Sequence, residues 1–183
     1  MGLHVSAGAP SAWVQRWSHL LAPSASVLDV ACGSGRHLAW FSGRGHTVCG
    51  VDIDTSSAAA NASNAELIQA DIENGPWPLP HREFGAVVVC NYLWRPLFPN
   101  LLESLADRGV LIYETFASGQ ELQGRPRRPE FLLQPGELLH VCKDLHVVAY
   151  ECGLADTPQR AVQRIVAIRA DPSDRVTSAL SLK

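Results

Sequence analysis

One stretch of this sequence puts two glycines between a predicted buried strand and the start of a predicted helix. Residues 27–30 read Val-Leu-Asp-Val, and Gly33 and Gly35 follow just before the helical stretch. Glycine lets a ligand approach the main chain, and a helix N-terminus presents N–H groups that no helix carbonyl accepts. Plain strand-to-helix turns share this pattern, so the turn indicates a polar ligand only together with further signals.

Two aspartates supply those signals. Asp52 ends the second predicted strand, where a carboxylate can accept hydrogen bonds from the diol of a ribose. Asp71 is predicted to end the third strand. Because open α/β sheets bind ligands at the carboxyl ends of their strands, we expect the turn and both acids to lie along one edge.

The hydrophobic pattern predicts alternating strands and helices that hold these residues. Apolar, β-branched runs predict strands at 26–31, 47–53, 67–72, 86–92 and 110–116. Helices are predicted at 11–21, with Ser11 as its N-cap, and at 36–44, 56–64, 98–107 and 135–143. Two last runs, 145–151 and 164–170, are expected to pair as an antiparallel hairpin. Strands apolar on both faces are typical of parallel sheets, so the predicted class is an α/β three-layer sandwich with a mostly parallel sheet.

Composition limits the possible functions. The 183 residues, 46% of them hydrophobic, can build one domain over 1–183, with an ordered core expected at about 11–170. A net charge of -3 does not favour nucleic acid as a partner. No apolar stretch is long enough to span a membrane and no export signal is visible, so we expect a cytoplasmic protein. Five cysteines without metal-ligand spacing predict neither a metal site nor a disulfide.

At this point a family resemblance is clear. Residues 27–37, with Asp52 and Asp71 after them, resemble motif I and the next two acidic positions of class I S-adenosylmethionine-dependent methyltransferases. The likeness covers residues 11–170 in the order of elements. It implies a Rossmann-like, seven-stranded sheet, S-adenosylmethionine as cofactor with S-adenosylhomocysteine as product, and in-line methyl transfer to a small-molecule acceptor. Such a displacement mainly requires alignment, so a missing catalytic motif is expected.

The resemblance also implies roles for single residues. Gly33 and Gly35 would shape the methionine pocket, Asp29 would support its amino end, Asp52 would hold the ribose, and Asp71 would accept from the adenine amine. The remaining cofactor contacts are expected at the strand ends, with the two isoleucines sandwiching the adenine ring and the asparagine flanking the methyl group: Ala31, Cys32, Ile53, Ile72 and Asn91.

Within the class, residues 33–36, 45–48 and 51–52 resemble the small thiopurine and tellurite-resistance-type enzymes. Trp13, Arg16 and Trp17 match the helix that such enzymes fold over the cofactor. An amphipathic helix that packs both tryptophans into the core explains these residues equally well.

Residues near the expected methyl group are candidates for binding the acceptor. They lie after the fourth strand, in the fifth strand and in the long polar stretch 117–134, which we expect to be a functional or mobile loop: Tyr92, Trp94, Arg95, Glu114, Arg125 and Arg128. These arginines and Trp94 suit a small anionic or aromatic acceptor. The loop arginines are equally explained as solvated surface charges, and Glu114 as either a base or a structural partner of an arginine.

Two other functions fit parts of the pattern. A nicotinamide-dependent dehydrogenase also uses a glycine turn and a later acid, but the third glycine of its motif would fall at Leu38. A domain that binds the cofactor without turnover is the second alternative. The sequence leaves open whether the protein is a monomer or a homodimer.

Overall fold

Seven strands form a single sheet in the computed structural model, which describes residues 8–169. The strands are β1 (Ser26–Val30), β2 (Thr47–Asp52), β3 (Glu66–Gln69), β4 (Phe84–Cys90), β5 (Leu105–Phe116), β6 (His146–Asp156) and β7 (Gln159–Ile168). The helices are α1 (Ala12–Trp17), α2 (Arg36–Ser42), α3 (Ser56–Asn61), α4 (Phe98–Glu103) and α5 (Glu137–Val141). The expectations for residues 1–7 and 170–183 lie outside the described residues.

The strand order is β3-β2-β1-β4-β5-β7-β6. β1 to β5 pair in parallel, whereas β7 pairs antiparallel with both β5 and β6. The predicted α/β class, the seven strands and the C-terminal hairpin are therefore confirmed. The strand order reverses between β1 and β4, because β2 and β3 lie on one side of β1 and β4 and β5 on the other. Open α/β sheets form ligand crevices at such a topological switch point.

Successive residues of each central strand point to opposite faces and build two separate cores. Val27 and Val88 belong to the core under α1, α2 and α3, while Leu28 and Val89 belong to the core under α4 and α5. This is why the central strands read as continuous apolar runs instead of alternating ones. The sheet is covered on both sides, as the three-layer prediction required.

Some predicted boundaries are wrong. The helix expected at 98–107 ends at Glu103, because the buried Leu105 pairs with Phe84 and already belongs to β5. The strand expected at 67–72 ends at Gln69, so Asp71 lies beyond it. The helix expected at 11–21 is α1 followed by a 3₁₀ turn, Ser18–Leu20. Tertiary pairing here overrides local propensity.

The stretch 117–134 is better packed than its composition predicts. Leu132 and Leu133 are buried in it, and the buried Gln120 side chain accepts a hydrogen bond from Ala161 N at 2.9 Å. Two 3₁₀ turns, Gln120–Leu122 and Pro129–Phe131, shape the chain between these anchors. Residues of this stretch therefore contribute to the core, which its polar composition does not indicate.

Candidate functional site

The turn after β1 has an unusual backbone. Ala31, Gly33 and Gly35 all have positive φ angles, at 55°, 53° and 75°. A Cβ atom on Gly35 would lie 3.0 Å from Ala58 Cα, so only glycine fits between this turn and α3. A Cβ on Gly33 would meet nothing within 4 Å, and its peptide therefore faces open space.

Asp52, the last residue of β2, holds this turn from the side. Its Oδ2 accepts a hydrogen bond from Gly33 N at 2.7 Å, and its Oδ1 accepts one from Asp54 N at 3.1 Å. A carboxylate has about four acceptor positions. The side chain therefore keeps capacity to accept further hydrogen bonds at a half-buried position beside the glycine turn.

A cavity of about 340 Å³ opens next to Asp52. Its lining comes from the ends of β1 to β4: Ala31, Asp52, Ile53, Asp71, Ile72, Glu73, Asn74 and Tyr92. Ile53 leaves 64% of its surface exposed, an unusual position for so apolar a side chain. Sequence reasoning missed Glu73 and Asn74, whose only signal was their position just after Asp71, and it assigned Tyr92 to the acceptor.

The carboxylate of Asp71 accepts hydrogen bonds from the turn that follows it. Its Oδ1 accepts from Glu73 N at 3.1 Å and Asn74 N at 3.0 Å, and its Oδ2 accepts from Asn74 Nδ2 at 3.0 Å. These hydrogen bonds, that of the Asn74 side chain above all, lower the pKa of Asp71. Asp71 is thus an ionised acceptor that caps a turn at the cavity wall.

Asp29 sits in the middle of β1 and is 1% exposed. Its nearest basic neighbour is His37, whose Nδ1 lies 3.6 Å from Asp29 Oδ2. That oxygen has no hydrogen-bond donor among the described residues. His37 Nε2 accepts from Ser11 N at 3.2 Å, which ties the start of α1 to α2. A buried carboxylate oxygen without a donor is uncommon, and it retains the capacity to accept a hydrogen bond.

A second polar cluster surrounds Glu114, which lies inside β5 and is 1% exposed. Glu114 accepts from Ser11 Oγ at 2.9 Å and contacts Cys90 Sγ at 3.4 Å. Its Oε2 lies 2.5 Å from Arg164 Nε, and its Oε1 lies 3.4 Å from a guanidinium nitrogen of Arg160. The arrangement favours the structural alternative for Glu114.

Arg160 is a site residue that sequence reasoning missed. Its guanidinium donates to Asn91 Oδ1 at 3.3 Å. Asn91 directly follows β4 and has a positive φ of 57°, while Arg36 reaches the neighbouring Cys90 Sγ at 3.6 Å. Two arginines therefore converge where β1, β4 and β5 end. Arg160 had no sequence signal, because only the antiparallel return of β7 brings it to this edge.

The other predicted acceptor residues lie elsewhere. Arg95 binds Glu137 at 2.7 Å and donates to the carbonyls of Glu130 and Leu132, which makes it a structural clamp. Arg125 and Arg128 are exposed; Arg128 pairs with Glu130, and the Arg125 carbonyl accepts from a side chain. A role of these three arginines in binding the acceptor stays a prediction.

Two aromatic predictions also change. Trp94 is partly buried against the core under α4 and α5. Trp13 and Trp17 are each 3% exposed within the opposite core, so the packing alternative is correct for this pair. Arg16 is exposed on the same helix, and its guanidinium carbon lies 4.9 Å from the Trp17 ring centroid.

Residues 8–169 contain no membrane-spanning helix and no cluster of metal-ligating side chains. No helix in this range is long and apolar enough to cross a membrane, and no three His, Cys, Asp or Glu side chains in it are grouped to hold a metal ion.

Burial raises the pKa of the Cys32 and Cys90 thiols to about 12. Both thiols beside the site are therefore protonated at neutral pH.

The sequence matches one family model, that of a methyltransferase domain, over residues 27–108. The match runs from β1 into β5 and includes the glycine turn, Asp52, Asp71 and Asn91. No curated protein matches the sequence closely enough to serve as a relative. The matched domain and the fold make this chain similar to class I S-adenosylmethionine-dependent methyltransferases.

The fold is similar to that of TehB. TehB from Haemophilus influenzae is 18% identical, with a TM-score of 0.71, over 87% of this chain and 62% of that one. This chain therefore spans less than two thirds of TehB. The N-methyltransferase NodS from Bradyrhizobium japonicum WM9 is 13% identical, with a TM-score of 0.69, over 87% and 93%.

A third similar structure contains ligands. It is the 1,6-didemethyltoxoflavin-N1-methyltransferase from Burkholderia thailandensis with bound 1,6-didemethyltoxoflavin and S-adenosylhomocysteine. It is 16% identical, with a TM-score of 0.64, and the similarity covers 87% of this chain and 76% of that one. At such identities these three similarities concern the fold.

Proposed function

We propose that this protein transfers the methyl group of S-adenosylmethionine to a small acceptor that carries a negative charge, and that it works as a single domain. The observation that carries the proposal is the meeting of two features at one edge of the sheet. A cavity beside Asp52 suits a nucleoside, and at the same edge Arg160 contacts Asn91 while Arg36 contacts the neighbouring Cys90.

Four observations support the cofactor's position. Asp52 has free acceptor capacity for the two ribose hydroxyls, and the exposed Ile53 and the buried Ile72 both line the cavity that an adenine ring would fill. The open space at Gly33 leaves the main chain accessible to the methionine part. The buried Asp29 oxygen without a donor suits the ammonium group of that part. When bound, the cofactor supplies a methyl group on a positively charged sulfur.

The arginines support an anionic acceptor. Arg160 and Arg164 both contact Glu114, and Arg164 and Arg16 both contact Glu151, so three arginines meet two carboxylates and one positive charge is in excess. The contacts of Arg36 are long, at 3.5 Å to Ala9 O and 3.6 Å to Cys90 Sγ. Both guanidiniums can therefore turn toward an anion without breaking a short ion pair. A fork of N–H donors suits carboxylate and other oxyanion groups.

The chain's own residues then have a simple task. They hold the acceptor's reactive atom in line with the methyl group, and such alignment can supply roughly 7–11 kcal/mol of a barrier. Glu114 is occupied by Ser11 Oγ and by guanidiniums, so it positions Arg160 instead of removing a proton. This suits an acceptor that is already ionised at neutral pH.

The test measures S-adenosylhomocysteine formation with a panel of carboxylates, phenolates, thiolates and metalloid oxyanions. Arg160→Ala should lower kcat/KM for the preferred acceptor by about 100-fold, because it removes one or two charged hydrogen bonds to the acceptor. Arg128→Ala is the matched control, because it removes an exposed arginine that pairs only with Glu130. Equal activity of both variants would contradict the proposed acceptor site, and binding of S-adenosylhomocysteine without turnover on any acceptor would favour a non-catalytic binding domain.

A further inference from the structure

The family resemblance assigns recognition of the adenine amine to Asp71, but the hydrogen bonds of this residue point elsewhere. Both Asp71 oxygens already accept hydrogen bonds from the turn formed by Glu73 and Asn74. A ligand amine that replaced the Asn74 amide would weaken the turn that shapes the cavity wall. Three of the roughly four acceptor positions of Asp71 are thus taken by the turn, which leaves this carboxylate less free to bind a nucleobase than one that accepts a single hydrogen bond.

Glu73 is the second carboxylate of the same wall. It lines the cavity, and its Oε1 accepts from Tyr92 Oη at 3.2 Å. Among the described residues, this is the single hydrogen bond found for the Glu73 carboxylate. Burial, followed by the nearby Glu73 charge, raises the pKa of Tyr92, so its hydroxyl is a stable donor at neutral pH.

Tyr92 gives Glu73 a fixed direction. Tyr92 is half-buried just after β4, and Glu73 is exposed beyond β3, so their hydrogen bond joins two walls of the cavity. A carboxylate held at one oxygen presents its second oxygen in a restricted orientation. Such an oxygen accepts hydrogen bonds but cannot donate them, which matches an amine and not a carbonyl.

We propose that Glu73, oriented by Tyr92, accepts a hydrogen bond from the exocyclic amine of the cofactor's nucleobase and so sets the preference for adenine. This inference rests on the proposed function, because it assumes that the cavity holds the nucleoside. A 6-oxo base presents an acceptor at the same place. It would meet the carboxylate as a second acceptor and bind more weakly.

The experiment compares two probes by titration calorimetry, S-adenosylhomocysteine and its 6-oxo analogue S-inosylhomocysteine. The wild type should bind the adenine form at least 10-fold more tightly. Glu73→Ala should weaken binding of the adenine form about 10-fold and leave the 6-oxo form nearly unchanged. Glu73→Gln brings an amide donor to the same place and should bind the 6-oxo form more tightly than Glu73→Ala does. Tyr92→Phe frees the carboxylate and should reduce the preference by about 3-fold.

Asp71→Asn is the matched control. It should lower the melting temperature through the turn while the ratio of the two affinities stays near that of the wild type. A ratio that collapses in Asp71→Asn and not in Glu73→Ala would overturn the inference, because Asp71 would then read the base. An unchanged ratio in both variants would also overturn it. If the wild type bound neither probe, the cavity assignment itself would fail, and with it the proposed function.

Discussion

Asp52 offers the sharpest test of the site, because one side chain both supports the glycine turn and faces the cavity. Its Oδ2 accepts from Gly33 N at 2.7 Å, and the same residue lines the cavity of about 340 Å³. Asp52→Ala removes both functions. We therefore expect a small loss of stability together with a large loss of affinity for S-adenosylhomocysteine.

The magnitudes follow from the hydrogen bonds involved. The bond from Gly33 N contributes about 1 kcal/mol to the free energy of unfolding, which corresponds to a fall in melting temperature of roughly 2–4 °C for a domain of this size. Two ribose hydroxyls donating to a half-buried carboxylate contribute roughly 1.5 kcal/mol each. Since about 1.4 kcal/mol is a tenfold change in Kd, the affinity should fall about 100-fold.

Titration calorimetry at constant ionic strength measures the Kd, and thermal unfolding without ligand measures stability. Asp54→Ala is the matched control, because Asp54 Oδ1 accepts from Ser56 N at 2.9 Å but does not line the cavity. It should lower the melting temperature while Kd stays within about 2-fold of the wild type. If Asp52→Ala kept wild-type affinity, or if Asp54→Ala lost as much, the ribose assignment would be refuted.

Three further predictions concern the residues around the site. Glu114→Gln leaves Arg164 without its buried anion and should lower the free energy of unfolding by roughly 3 kcal/mol, measured by urea denaturation; a loss below 1 kcal/mol would contradict the ion-pair assignment. Ile53→Ser should leave stability unchanged, since the side chain is 64% exposed, but should weaken S-adenosylhomocysteine binding about 5-fold, and unaltered binding would exclude a contact with the base. Arg95→Ala should speed limited proteolysis within 124–131 and change the pH dependence of stability. Burial raises the pKa of Glu137, but its hydrogen bonds, that from Arg95 above all, lower it by more. The pKa of Glu137 therefore lies below its ordinary 4.5. The pair therefore stabilises the fold above about pH 4.5, and this contribution is lost as the pH falls. If the stability of the wild type and that of Arg95→Ala fell in the same way as the pH was lowered, the assignment would be contradicted.

The parallel part of the sheet could be predicted from the sequence because its signal is local. A strand buried on both faces is apolar along nearly its whole length, and residues 27–30, 48–51 and 84–90 fit this, with Asp29 as the exception. The glycine turn and Asp52 were found for the same reason. A strand end followed by glycines, or by a carboxylate, can be recognised without knowing which strands are neighbours.

The acceptor side could not be predicted in this way. Arg160 meets Asn91 and Glu114 across 69 and 46 residues, through an antiparallel strand that enters the sheet beside β5. The arginines that sequence reasoning preferred stood in a polar loop, where composition draws attention but solvent accounts for the charge. Arg95 is closer in sequence to the residues that end β4. The carbonyls that it binds, however, belong to residues 130 and 132, and the sequence alone does not show that they are its neighbours.

The position of the crevice follows from two strained residues as much as from the glycines. Ala31 and Asn91 directly follow β1 and β4, which are adjacent parallel strands, and both have positive φ angles. Such angles cost a residue with a Cβ roughly 1–2 kcal/mol, somewhat less for asparagine, so the surrounding structure must hold them. Each turns the chain sharply out of the sheet, toward α2 in one case and away from it in the other. Because the chain leaves neighbouring strands in opposite directions, a gap opens between their ends, and the cavity wall begins at Ala31. A sequence with alanine where a third glycine would be easier can therefore still form a cofactor crevice at this edge.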